Sequence, residues 1–111
     1  DTSSNNFPIT PSVLPSALNG PQDVFISILS TDLSVLIVSY YLGGSGIDSA
    51  DDITLGPDGA FYITGFTDST DFPVTPGAFQ TTYSGGDDDA FIIKAAFAFY
   101  SRAALGIQGI I

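Results

Sequence analysis

The stretch Ile53-Thr54-Leu55-Gly56-Pro57-Asp58-Gly59-Ala60-Phe61-Tyr62-Ile63-Thr64 decides the fold. Two runs of β-branched and aromatic residues flank Gly-Pro-Asp-Gly. Pro57 presets φ at the first central turn position, and Gly59 accepts a positive φ. The pattern predicts a β-hairpin with strands over residues 51–55 and 60–67. On its N-terminal side, Gly43-Gly44-Ser45-Gly46 interrupts an apolar run that ends at Tyr40-Tyr41-Leu42. On its C-terminal side a polar loop follows Thr67.

The same grammar extends outward. Residues 23–30 read as a strand, Thr31-Asp32 as a short turn, and residues 33–42 as a strand that is apolar at nearly every position. A continuous apolar run implies cover on both faces, because a half-solvated sheet alternates. Residues 68–88 form a polar connection containing Pro and Gly, and residues 89–94 another strand. The segment 1–22 carries Pro8, Pro11, Pro15 and Pro21, which disfavour helix and central strand. It reads as an extended arm, with Phe7, Ile9, Val13 and Leu14 as apolar anchors. Residues 95–111 are apolar, with Arg102 as their only charge, and fit strand or helix. Gly106 and Gly109 argue against a long helix there. The expected organisation is one domain: an arm (1–22), antiparallel strands (23–94) and an apolar terminal segment (95–111).

Composition agrees. A chain of 111 residues makes one domain. Cys and His are absent, every acidic residue is Asp, and Lys94 and Arg102 are the only basic residues. Good helix formers are therefore scarce, while turn-forming Asp, Gly, Ser, Thr and Pro abound. An all-β fold follows. The net charge of −10 argues against nucleic acid, which needs Lys/Arg clusters, and against an anionic membrane surface. No apolar run approaches the roughly 20 residues of a membrane span. Scarce Lys with abundant Thr, Ser, Gly and Asp suggests an extracellular or cell-surface setting. The start at Asp1, with no Met in the chain, adds the expectation of a processed secreted protein or a fragment.

An internal repeat is visible. Phe7-Pro8-Ile9-Thr10-Pro11 matches Phe72-Pro73-Val74-Thr75-Pro76 at an offset of 72 − 7 = 65. Asp23-Val24-Phe25-Ile26 matches Asp89-Ala90-Phe91-Ile92 at 89 − 23 = 66. Periods of this size mark propellers or arrays, whose units bury their faces by stacking.

These residues resemble a known family. Tyr41-Leu42-Gly43-Gly44-Ser45-Gly46, Gly59 with Tyr62-Ile63-Thr64-Gly65, the string from Thr70 through Asp71-Phe72-Pro73-Val74-Thr75-Pro76-Gly77-Ala78-Phe79-Gln80, and Gly85-Gly86-Asp87-Asp88-Asp89-Ala90-Phe91-Ile92 are similar to the SBBP-type β-propeller repeat. The likeness covers roughly residues 5–94. It implies antiparallel blades of four strands in bacterial or archaeal secreted or surface proteins, and no catalytic residues. The chain departs from the family where Lys94 runs directly into Ala95-Ala96-Phe97, without the expected turn. It also holds fewer than two repeats, short of the four to eight blades of a propeller. The expected fold is an incomplete propeller, completed by other copies or neighbouring chain.

Candidate chemistry is sparse. Without His or Cys, the triads that activate Ser or Cys have no base and no thiol. Gly43-Gly44-Ser45-Gly46 lacks the helix and Lys of a phosphate loop and reads as a turn. Lys94 reads as a solvated charge at a strand end. Glycoside hydrolysis needs two carboxyls facing across a cleft, and the sequence does not place any pair so. Calcium is the better functional reading of the acidic clusters, since it takes carboxylate and carbonyl oxygens. Its candidate ligands are Asp48, Asp51 and Asp52, and Asp87, Asp88 and Asp89; the competing reading is that Asp simply bends and caps turns. The aromatic residues read as core. The expected role is that of a non-catalytic extracellular structural module whose partners are other copies of itself, in a filament or surface layer. Its assembly candidates lie in the terminal segment: Phe97, Phe99 and Tyr100, then Leu105, Ile107, Ile110 and Ile111. The alternative is a piece of a large propeller surface protein acting in adhesion or ligand binding.

Overall fold

The computed structural model describes residues 1–11, 17–78, 80–97 and 103–110, the last of these by their backbone. Among these residues, six strands form two antiparallel sheets: β1 (Val24–Leu29), β2 (Leu36–Leu42), β3 (Asp48–Leu55), β4 (Phe61–Thr67), β5 (Asp89–Phe97) and β6 (Ala103–Ile110). β1 and β2 make a two-stranded sheet, and β3-β4-β5-β6 a four-stranded meander in chain order. The described residues contain no helix. The fold is all-β and antiparallel.

The Gly-Pro-Asp-Gly turn closes the β3–β4 hairpin as its residues dictate. Gly59 has φ +78° and donates its N–H to the Gly56 carbonyl at 3.0 Å. Asp58 accepts from Ala60 N at 3.1 Å, from the Tyr62 hydroxyl at 2.8 Å and from Lys94 Nζ at 2.9 Å. Lys94 is thus an ion-pair partner across the sheet. β3 begins at Asp48, three residues earlier than the sequence pattern predicts, and contains a bulge between Ala50 and Asp52. The bulge keeps Asp48 opposite Thr67 while Ile53 stays opposite Ile63.

In the undecided terminal segment, residues 95–97 extend β5 and residues 103–110 form β6. β6 pairs with β5, matching Ala95 with Leu105, Ile93 with Ile107 and Phe91 with Ile110.

Strand alternation builds the core. Val24, Ile26, Tyr40 and Leu42 on one face of the first sheet pack with Ile63, Phe91 and Ile93 on one face of the second, and Phe72 closes the cluster. Full burial of aliphatic side chains such as Ile63 and Ile93 is worth about 2–3 kcal/mol each. Gly65 is required on this face. A Cβ there would meet the Ser49 carbonyl oxygen at 2.0 Å and Phe91 Cζ at 2.8 Å.

The opposite face of the first sheet is covered in part by the arm. Phe7 packs on the Phe25 ring at 4.3 Å between centroids. Tyr41 donates its hydroxyl to the Ser4 carbonyl at 2.6 Å and accepts from Phe7 N at 3.1 Å. Thr10 and Ser39 exchange backbone and hydroxyl hydrogen bonds, and the Ser39 hydroxyl reaches the Pro8 carbonyl at 2.8 Å. Two-faced cover therefore holds for Ser39, Tyr40, Tyr41 and Leu42. It fails for the start of the run: Leu33 is 72 % exposed, and Val35 and Ile37 are 54 % exposed each. The turn is longer than Thr31-Asp32 and extends through Ser34. Asp32 accepts from the Ser30 hydroxyl and from both the amide and hydroxyl of Ser34, and Leu33 takes φ +63°.

Candidate functional site

The loops at one end of both sheets hold the densest polar network. Successive amides of the Gly-rich loop each find a side chain from elsewhere. Gly44 N donates to Asp48 at 2.7 Å, Ser45 N to Asp71 at 2.7 Å, Gly46 N to the Ser69 hydroxyl at 2.9 Å, and Ile47 N to Asp68. Asp48 is fully buried and also accepts from the Thr67 and Ser69 hydroxyls. Burial raises its pKa, opposed by these three donors and assisted by the nearby Asp23 carboxylate. The glycines are demanded by proximity: a Cβ on Gly43 would meet Asp48 Oδ2 at 2.6 Å and Asp23 Oδ1 at 2.7 Å. This network satisfies loop amides that would otherwise be orphaned. Its chemistry is that of a clasp, with its carboxylates committed to protein donors.

The acidic candidates separate accordingly. Asp48 sits inside the clasp, while Asp51 and Asp52 stand exposed on edge strand β3. Asp89 is buried and accepts from Ser84 N at 2.5 Å, while Asp87 and Asp88 are exposed in the preceding loop. Among the described residues, no three acidic side chains gather as cation ligands.

A second candidate surface is apolar. Leu29, Leu33, Val35 and Ile37 are exposed at the free end of the β1–β2 hairpin, and Ile53 and Leu55 on β3 are 56 % and 63 % exposed. Ile53 and Leu55 pair with Ile63 and Phe61 and so share the core-facing side of their sheet. The first sheet does not reach over them. A cleft of about 330 Å³ opens there, lined by residues 24–27 of β1, residues 50–53 of β3 and Ile63. Of the assembly candidates, Phe97, Leu105, Ile107 and Ile110 lie on β5 and β6 with their backbone engaged in their own sheet. Phe99, Tyr100 and Ile111 lie outside the described residues.

Sequence reasoning missed Ile53, Leu55 and the hairpin tip as surface, because Ile53 and Leu55 alternate as core residues do and the tip belongs to a continuous apolar run. It also begins the repeat too late. The match extends back to Thr2 and Ser4, whose counterparts at offset 65 are Thr67 and Ser69. Ser4 N donates to Thr2 Oγ1 at 3.0 Å, and Ser69 N to Thr67 Oγ1 at 2.9 Å. Thr2 bridges Asp23 as Thr67 pairs with Asp89. Asn19 N donates to Asp23 at 2.8 Å, as Ser84 N does to Asp89. Phe72 stacks on Phe91 at 4.8 Å, as Phe7 packs on Phe25. No helix among the described residues is long and apolar enough to cross a membrane. No family model, no curated protein and no solved structure matches the chain.

Proposed function

We propose that this chain is a non-catalytic structural module of blade-like sheets, of the SBBP propeller-repeat type, that assembles head to tail with other copies at the cell surface or outside the cell. One observation carries the reading. The two repeat copies meet through unlike faces: the Val24/Ile26 face of the first lies on the Phe91/Ile93 face of the second. By the repeat offset, the counterpart of Val24/Ile26 on the second sheet is Ala90/Ile92, exposed and half-buried respectively. The counterpart of Phe91/Ile93 on the first is Phe25/Ser27, which continues into exposed Ile37. Each end thus keeps the face that the other end can cover. Contacts between unlike faces propagate, into a ring if the rotation closes and a filament if it does not. The repeated hydrogen bonds also favour a second reading, a stretch of a longer tandem array acting in adhesion or ligand binding.

Sedimentation over a range of concentrations, followed by electron microscopy, tests the assembly. Mass should rise with concentration, and Ile92→Asp should abolish the rise while leaving the fold intact. A monodisperse monomer throughout would sink the proposal.

A further inference from the structure

The cleft between β1 and β3 is bounded by an unfinished sheet edge. β2 occupies one side of β1. On the other side Thr2 pairs with Asp23, and no further strand meets β1 among the described residues. Such an edge presents a row of backbone donors and acceptors and invites strand addition. The facing wall is residues 50–53 of β3, with Ile63 as floor and the exposed Ile53 at its rim.

The molecule itself indicates the occupant. In the second copy the equivalent edge of β5 is filled by β4, antiparallel, from Phe61 opposite Ala95 to Thr67 opposite Asp89. Thr2 already holds the position of Thr67 against Asp23. We infer that the cleft is an acceptor for an antiparallel strand of the β4 type, donated as a hairpin like β3–β4 and paired with β1 from Phe25 to Leu29. This rests on the reading of the chain as a blade repeat, though not on self-assembly.

The register sets the occupant's chemistry. Gly65 stands opposite Phe91, where a Cβ would collide with the ring. The residue opposite Phe25, the counterpart of Phe91, is therefore glycine. Two positions earlier, Ile63 faces Ile93, so an aliphatic residue falls opposite Ser27 on the arm side of the sheet, while the residues opposite Ile26 and Ile28 turn to the core face, toward Ile53. Asp51 and Asp52 line the cleft, so the strand carries no carboxylates, as β4 itself carries none. The inserted strand is uncharged, β-branched and aromatic, and it follows a Gly-Pro-Asp-Gly turn or its like.

The test uses the whole chain, kept dilute, and a synthetic peptide with the sequence of residues 48–65. One peptide should bind per chain and slow amide exchange across Val24–Leu29 by about tenfold or more. A peptide with valine in place of the glycine corresponding to Gly65 should bind about tenfold more weakly, as should the exposed-site variant Ile53→Asp with the original peptide. Absence of binding, protection along β6 instead of β1, or equal affinity for the valine peptide would overturn the inference. Peptide binding by a chain that never oligomerises would defeat the assembly proposal alone. Oligomers that ignore the peptide would defeat the acceptor cleft alone.

Discussion

Residues 7–42 and residues 72–110 hold the two copies of one repeated strand pair, and they differ in enclosure far more than in local bonding. Both copies anchor a Phe-Pro segment on a strand phenylalanine, brace a loop amide with the Asp that opens the strand, and follow it with an antiparallel partner. In the second copy, β4 closes the remaining edge, and Phe91, Ile93 and Ala95 are at most 1 % exposed. In the first copy no strand among the described residues fills that edge, and Leu29, Leu33, Val35 and Ile37 are exposed. Matching short-range sequence thus gives matching local bonds at the Phe-Pro segment and the strand start, whereas burial depends on which strands are neighbours. The proposed repeat unit requires that contrast, because its interface energy resides between units.

The sharpest test compares the paired rings. Phe91 is 1 % exposed and stacks on Phe72, so Phe91→Ala should cost about 4 kcal/mol through lost transfer energy and a trapped cavity. Phe25 is half-buried, and its surroundings can collapse toward solvent. Phe25→Ala should therefore cost about half as much. Chemical denaturation measures both. Equal losses would mean that the first copy is as well sealed as the second, which would break the contrast.

Adjacent tyrosines on β2 sharpen it at lower energy. The Tyr40 hydroxyl is buried without a hydrogen-bond partner among the described residues, and burial raises its pKa above the usual phenol value. Removing it in Tyr40→Phe should stabilise the fold by about 1 kcal/mol, because an unsatisfied buried hydroxyl is costly. Tyr41 lies on the other face, and its hydroxyl ties down the arm through Ser4 and Phe7. Tyr41→Phe should destabilise by about 1 kcal/mol. Thermal melts of the two variants should therefore shift in opposite directions.

How far the sequence reveals this depends on the range of the interaction that decides each feature. The Gly56 to Gly59 turn and the repeat offset are local signals, and both sheets follow from them. The early start of β3 was hidden because the loop before it is held by Asp68, Ser69 and Asp71, more than twenty residues away. The exposure of Leu33, Val35 and Ile37 was hidden because an apolar run reports hydrophobicity and not what lies above it. The terminal segment has the composition of either element, and only pairing with β5 makes it a strand. The candidate site was the least legible. Asp23, Asp48 and Asp89 differ from Asp51, Asp52, Asp87 and Asp88 by a glycine loop folding onto each of them, which composition does not record.

The smallest effects concern pH, and they separate the enclosed clasp from the open hairpin tip by sign. Asp48 is buried, so its folded pKa is raised. The folded state then holds that proton more tightly than the unfolded state, and the associated stability is full below the ordinary carboxylate value, about 4, and lost as pH rises through the folded value. Asp32 behaves oppositely. The Ser30 hydroxyl, then the Ser34 hydroxyl and amide, lower it to about 2, so its contribution is present above the unfolded value and lost as pH falls toward 2. Asp48→Asn should flatten the thermal-stability profile on the neutral side of pH about 4. Asp32→Asn should flatten it on the acid side. Asp32 is fully exposed, so its change should be the weaker and should shrink in salt. If both variants alter the same side of the profile, the carboxylate in the clasp is no more sheltered than the one at the tip, and the division of this molecule into a sealed end and an open one does not hold.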